Sequence, residues 1–289
     1  MATLQLESMT FEDYIKYHRQ AYTNYKIQLD ELMAVMRGKS LATYYQPILD
    51  VRQGEIIGFE ALNRPISTIF KNVDAFYDFI GTSRYVFTFE RICRNLSIQR
   101  FHERLSIEGK ECTPLLFLNI HPNVLLDSNY CIGETRQILE QFGFTPEQVV
   151  FELTEKCAVT DFDEFARVLN HYRSQGYRIA VDDVGSGYNS LKTLIYLKPE
   201  FIKIDRALIQ HIDSEMPQQQ LVKILVDYAQ QTSTKVIAEG IERYEELQFL
   251  QQIGVDYAQG YAIGRPNEQI SFTPLKEAHS TNYIDGEFP

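Results

Sequence analysis

Seven short apolar runs in this 289-residue chain each enclose or end in an acid, an amide or a lysine. They read GFEAL, FLNI, VFELTE, IAVDD, FIKID, VIAEG and YAQG, and they deliver Glu60, Asn119, Glu152, Asp182 with Asp183, Lys203, Glu239 and Gln259. From Asn119 onward the steps are 33, 30, 21, 36 and 20 residues. Such spacing suits strand-plus-helix units, each bringing one functional group to the end of a strand. Carboxylates converging on one point repel one another unless cations stand between them. The acids are hard oxygen ligands and Asn119 adds a neutral carbonyl, so the set suits Mg²⁺ or Mn²⁺ rather than zinc. Among these acids the ammonium form of Lys203 is favoured, and it is suited to hold an attacking water or to stabilise charge on a phosphoryl oxygen. Neighbours on a regular strand point to opposite faces, so Asp182 and Asp183 both reach a metal only if the strand ends there. The following Gly185-Ser186-Gly187 fits such an ending. One aspartate then bridges two cations about 4 Å apart, the spacing of two-metal phosphoester cleavage.

The elements that must position these groups follow a βα rhythm. Strands are predicted at ATYYQPILD, EIIGFEAL, LLFLNI, VVFELTE, RIAVDDVG, FIKID, KVIAEG and YAQGYAIG, with helices near 72–81, 84–104, 133–143, 161–175, 188–197, 206–211, 216–231 and 243–252. Eight strands is the number that closes a TIM-like barrel, in which all strand ends share one mouth. Ahead of them, residues 11–37 read as one helix, with Thr10 and Asp13 as a capping box and Gly38 as the C-terminal stop. Along it Phe11, Ile15, His18, Tyr22, Tyr25, Leu29, Leu32 and Met36 step alternately by four and three residues, a heptad seam. The seam fits either a signalling coiled coil or a helix lying against the base of its own domain, and His18 with the two tyrosines favours the latter. The tail beyond Pro266 holds at most a short helix, and its last stretch is expected to fray.

A formal net charge of −11 argues against binding long DNA or RNA, though not against a small anionic nucleotide held by metal ions. The N-terminus lacks a basic-then-apolar signal and no apolar run is long enough to span a bilayer, so a cytoplasmic protein without membrane insertion is expected. Cys93, Cys112, Cys131 and Cys157 form no CxxC pair, as for reduced thiols. The six histidines show no zinc-site spacing.

Taken together, YYQPILD, GEIIGFEALNR, NI, ELTE, VDDVGSGYNSL, FIKIDR, VIAEGIE and GVDYAQGYAIGRP resemble the EAL domain, in the family's motif order and over roughly residues 27–267. The resemblance sets an EAL domain at 27–267, after an N-terminal helical extension at 1–26 and before a tail at 268–289. It implies a TIM-like (β/α)8 barrel whose first strand is antiparallel, and a phosphodiesterase that opens cyclic di-GMP to linear 5'-pGpG with two Mg²⁺ or Mn²⁺ ions. Glu60, Asn119, Glu152 and Asp182 would ligate one ion; Asp182, Asp183 and Glu239 would hold the second. Lys203 would contact the nucleophilic water, and Gln259 would steady water in the metal shell. Gln46 and Arg64 match positions that touch the substrate's phosphates, where a forked guanidinium is apt. Glu155 matches the glutamate that anchors the DDVGSGYNSL loop, which couples metal binding to dimerisation in the family; a homodimer with 184–190 as its contact is therefore expected.

The chain departs from the family pattern at Pro65, where an aromatic usually follows the arginine, and at His121, which replaces a serine. Val184 and Ser186 stand in place of Phe and Thr. Two other functions are weighed. A catalytically silent cyclic di-GMP sensor or protein-interaction module of the same fold would normally lack a ligand, the lysine or the loop glutamate, and none is missing. A Schiff-base aldolase needs a neutral Lys203, which a ring of acids disfavours.

Overall fold

The computed structural model describes residues 10–37, 40–108, 114–120, 134–154, 162–186 and 190–273. The chain groups into two compact units: residues 1–42 with 64–85, and residues 43–63 with 86–289.

In the first unit, helix α1 (Phe11–Met36) begins at Thr10, whose side chain accepts from the Asp13 backbone and donates to Asp13 Oδ2 at 2.6 Å. Thr10 is therefore an N-cap, but the Asp13 carboxylate bonds the Thr10 hydroxyl rather than its backbone amide, so of the capping box read from the sequence only the N-cap half is seen. Helix α2 (Val73–Gly81) is capped by Asn72, which accepts from the Ala75 amide. An aromatic chain links the two: Tyr25 lies 5.6 Å from Phe79, Phe79 5.5 Å from Phe70, and Phe70 5.0 Å from Phe76. Leu32 and Val35 of α1 are fully buried, but residues 10–27 are exposed, including Phe11 at 78% and Tyr22 at 70%. Of the seam read from the sequence, only the last turns of the helix are buried. Gly38 lies outside the described residues, as do the end of the tail and Cys112, Cys131 and Cys157; Cys93 is a buried free thiol.

Eight strands close in chain order into a barrel: β1 (Leu41–Asp50), β2 (Ile56–Pro65), β3 (Leu115–Asn119), β4 (Val149–Thr154), β5 (Arg178–Val184), β6 (Phe201–Ile204), β7 (Lys235–Ala238) and β8 (Tyr257–Ala258). From β2 to β8 each pairs in parallel with the next, whereas β1 runs antiparallel to β8. The turn after β1 explains the reversal. Asp50 accepts from the amides of Arg52 and Gln53, and Gly54 takes φ +72°, so the chain returns at once with no room for a crossover helix. The parallel pairs are instead spaced by α3 (Val86–Glu108), α4 (Glu134–Gln141), α5 (Phe162–Ser174), α6 (Ser190–Leu197), α7 (Arg206–Ile209) with α8 (Met216–Thr232), and α9 (Tyr244–Gln252). The eighth strand is shorter than YAQGYAIG suggests, because beyond Ala258 the chain turns at Gly260.

Ile48, Phe117, Val150, Ala180, Phe201 and Ile237 form a buried layer inside the barrel. Side chains on one face of a strand recur every second residue. Two positions along from these six stand Gln46 (on the reversed β1), Asn119, Glu152, Asp182, Lys203 and Glu239. The apolar floor and the polar mouth are thus consecutive rungs of one inward face.

Candidate active site

Lys203 is the centre of the mouth. Its Nζ lies 2.8 Å from Glu152 Oε1, 2.8 Å from Glu239 Oε1, 3.2 Å from Glu60 Oε2 and 3.4 Å from Asp182 Oδ1. The lysine is 1% exposed. Burying an ammonium is costly unless partners replace its water, and four carboxylates from β2, β4, β5 and the end of β7 do so.

Glu60 is held by three donors, two of them new. Asn119 Nδ2 donates to its Oε1 at 3.0 Å, Gln259 Nε2 to its Oε2 at 2.7 Å, and Lys203 to the same Oε2. Gln259 Nε2 also lies 3.2 Å from Gln46 Oε1, and Gln46 Nε2 donates to the Gly264 carbonyl at 3.1 Å. These amide contacts fix the carboxylate's orientation. Gln259 itself is placed by its backbone amide, which donates to the Ala238 carbonyl at 2.8 Å. Gly260 then lets the chain pass the Ile241 backbone, where any Cβ would collide.

The aspartate pair is presented by a different device from the one expected. β5 does not end at Asp182 but continues to Val184, with a register shift between Val181 and Val184 against β6. Asp183 takes a left-handed φ of +57°, and its amide donates to Asp182 Oδ1 at 3.0 Å. An extra residue in the ladder lets two successive side chains serve one side. Ligand atoms of Asp182, Asp183 and Glu239 consequently lie within 4.8 Å of one another.

The electrostatics divide the acids. Burial works against ionised Glu60, but the Lys203 charge and the hydrogen bonds from Gln259, Asn119 and Lys203 outweigh it and hold its pKa below the usual range. Glu152 is pushed well up, first by burial and then by the Glu60 charge, with Lys203 only partly compensating. Glu239 is raised to about 8 by burial, against the pull of Lys203, with Asp182 and Glu60 adding to the rise. Lys203 also suffers from burial, but Asp182, Glu152, Glu239 and Glu60 lift it well above its ordinary value. One ammonium is too little charge for five acids.

The donor set fits divalent cations. All candidate ligands are oxygens; Asn119 spends its nitrogen on Glu60, which leaves its carbonyl as a donor. The buried Glu152 Oε2 and Gln259 Oε1 have no hydrogen-bond partner among the described residues. A cation or a water in its shell would satisfy such atoms, and would ionise the acids that burial pushes up.

The structure thus gathers Gln46, Glu60, Asn119, Glu152, Asp182, Asp183, Lys203, Glu239 and Gln259 in one place. Arg64 is exposed, one residue before the end of β2. Glu155, His121 and Gly187 lie outside the described residues. Pro65 closes β2, and Val184 is fully buried at the end of β5. Sequence reasoning missed the Gly264 carbonyl that orients Gln46 across 218 positions of chain. A backbone acceptor carries no residue-type signal.

Residues 29–266 match a family model described as the EAL domain. The chain is similar to the cyclic di-GMP phosphodiesterase NbdA of Pseudomonas aeruginosa, 30% identical over 247 residues that make up 82% of this chain and 30% of that protein. It spans about a third of the length of the first curated relatives it matches. Among solved structures it resembles a standalone versatile EAL protein from Vibrio cholerae O395 in a c-di-GMP bound form, with TM-score 0.71 and 28% identity, covering 83% of this chain and 98% of that one. It also resembles the manganese/cy-diGMP complex of Klebsiella pneumoniae BlrP1, with TM-score 0.71 and 28% identity over 81% of this chain and 57% of that one.

Proposed function

Since the chain belongs to the EAL domain family, we propose that it hydrolyses cyclic di-GMP to linear 5'-pGpG in a divalent-cation centre at the barrel mouth. The observation that supports this most is the set of five acids at the mouth, four of them touching Lys203 and the fifth, Asp183, clustered with Asp182 and Glu239, with one ammonium among them. The names of NbdA and of the nucleotide-bound relatives support the substrate.

In this reading Glu60, Asn119, Glu152 and Asp182 hold one Mg²⁺ or Mn²⁺ and Asp182, Asp183 and Glu239 hold the other. Bound there, such ions would supply an activated water and neutralise phosphoryl charge. Lys203, kept protonated by its acids, donates to the attacking water and stabilises developing negative charge. Gln259, fixed between Gln46 and Glu60, steadies water in the metal shell, while Gln46 and Arg64 contact the substrate's phosphates. Glu155 anchors the loop that follows β5. The catalytic domain is 27–267, with 1–26 as an extension and 268–289 as a tail. A homodimer through 184–190 is part of the same reading.

The test is chromatography of cyclic di-GMP incubated with the full chain and Mg²⁺ or Mn²⁺. Formation of 5'-pGpG is expected, and Glu60→Ala should abolish it. Tight nucleotide binding without product would sink the enzyme reading and leave a sensor of the same fold.

A further inference from the structure

The first turns of α1 expose an apolar seam that the barrel chemistry does not use. In heptad terms Phe11, His18 and Tyr25 occupy d positions and Ile15 and Tyr22 occupy a positions. Phe11, Ile15, Tyr22 and Tyr25 are 78%, 49%, 70% and 50% exposed. His18 is exposed as well, its ring 4.2 Å from that of Tyr14. The flanking e positions carry Glu12 and Arg19, and the g positions carry Tyr14 and Ala21. We propose that this segment of α1 pairs antiparallel with the same segment of a second copy of the chain.

Charge and layer matching select both the partner and the register. When residues whose numbers sum to 33 face each other, Phe11 meets the partner's Tyr22 and Ile15 meets the partner's His18, each pair occurring twice about the two-fold axis. Beside these core pairs the e positions of the two helices flank one another, offset by about 3 Å along the axis, and bring Glu12 near the partner's Arg19, again twice, so the flanking charges complement themselves. An in-register parallel pair would set His18 on His18 and Tyr22 on Tyr22. Its flanking contacts would be Tyr14 with Arg19 and Ala21 with Lys26, without one opposite-charge pair. An antiparallel pair shifted by one heptad would keep two opposite-charge contacts, Glu12 with the partner's Lys26, but would add Arg19 on Arg19 and would require Leu29, which is already half-buried.

Helices this short are marginal alone, but this segment continues a helix whose later turns are anchored by the buried Leu32 and Val35. The partner therefore need not meet the cost of ordering it. Two Phe11–Tyr22 layers and two Ile15–His18 layers give a small contact of the weak, reversible class.

Cysteine cross-linking of the full chain tests this. Phe11→Cys and Tyr22→Cys variants, mixed and mildly oxidised, should give an 11–22 link by peptide mapping, distinct from any link through the native cysteines. Neither variant alone should link 11 to 11 or 22 to 22, because those positions lie about 16 Å apart along an antiparallel pair. Sedimentation supplies the second arm. Arg19→Glu should weaken self-association about fivefold, and adding Glu12→Arg should restore it, with helix content unchanged. Homotypic links equal to the mixed one, absence of the 11–22 link, or failure of the double exchange to restore association would each overturn the proposal.

Discussion

Lys203 carries the account at the scale of single residues. Its ammonium touches four carboxylates at once and so offsets part of their mutual repulsion; in the proposed reaction it would also stabilise developing phosphoryl charge. Lys203→Met should lower turnover by about a hundredfold or more, as for loss of a charge-stabilising donor, while sparing nucleotide binding. The same variant should destabilise the metal-free protein, since removing one partner of a buried ionic cluster costs about 3–5 kcal/mol. Mn²⁺ should return most of that loss, because a cation replaces the missing charge. Thermal unfolding with and without Mn²⁺ checks both statements; an unchanged melting temperature in metal-free protein would contradict the structural half. That these acids converge was legible from their places at the ends of apolar runs. That one lysine binds four of them was not, because the contacts join residues as far apart as Glu60 and Lys203, which no local pattern relates.

At the scale of elements, the barrel depends on a few turns that local chemistry dictates. Helix α9 is tied to its surroundings by Glu246, which is 1% exposed and accepts from the amides of His211, Glu242 and Arg243 and from Arg243 Nε. Burial opposes its charge, but these donors outweigh burial and hold its pKa below the usual carboxylate range. A depressed folded pKa contributes stability above the unfolded value, and that contribution disappears as pH falls through the folded one. Glu246→Gln should therefore cost about 2–3 kcal/mol at neutral pH, with the gap to the parent narrowing in acid below about pH 4. Denaturant titrations across pH measure this directly, and a gap that widens in acid would refute it. Gly260→Ala should place a methyl group against the Ile241 backbone and displace Gln259. Its expected effect is loss of activity alongside a lower melting temperature; full activity would show that Gln259 has no positioning role. The βα order and the Thr10 cap were legible because periodicity and capping are local. The β5 bulge was not, since IAVDDVG reads as a strand that stops, and only pairing with β6 reveals the register shift. The shortness of β8 escaped for a related reason: YAQGYAIG alternates well enough to look extended, while Gly260 turns it.

For the whole molecule, the closed barrel converts seven dispersed runs into one charge-deficient mouth, and the first unit adds a helix with an unused seam. Among the described residues no helix is long and apolar enough to cross a membrane. Cations that bind the folded mouth and not the unfolded chain must stabilise the fold, by about 2.7 kcal/mol at a concentration one hundred times the dissociation constant. Asp183→Asn should reduce that gain without unfolding the protein, since Asp183 stands at the half-exposed rim of the cluster. Identical unfolding of chelated and Mn²⁺-loaded protein would argue against any cation site here. Single-turnover cleavage of cyclic di-GMP in ¹⁸O-enriched water tests hydrolysis by water at the phosphodiester. 5'-pGpG bearing one ¹⁸O on its new terminal phosphate is expected, formed only with divalent cation and lost in Lys203→Ala. Bound nucleotide that stays cyclic with Mg²⁺ or Mn²⁺ present, or product lacking the label, would contradict it.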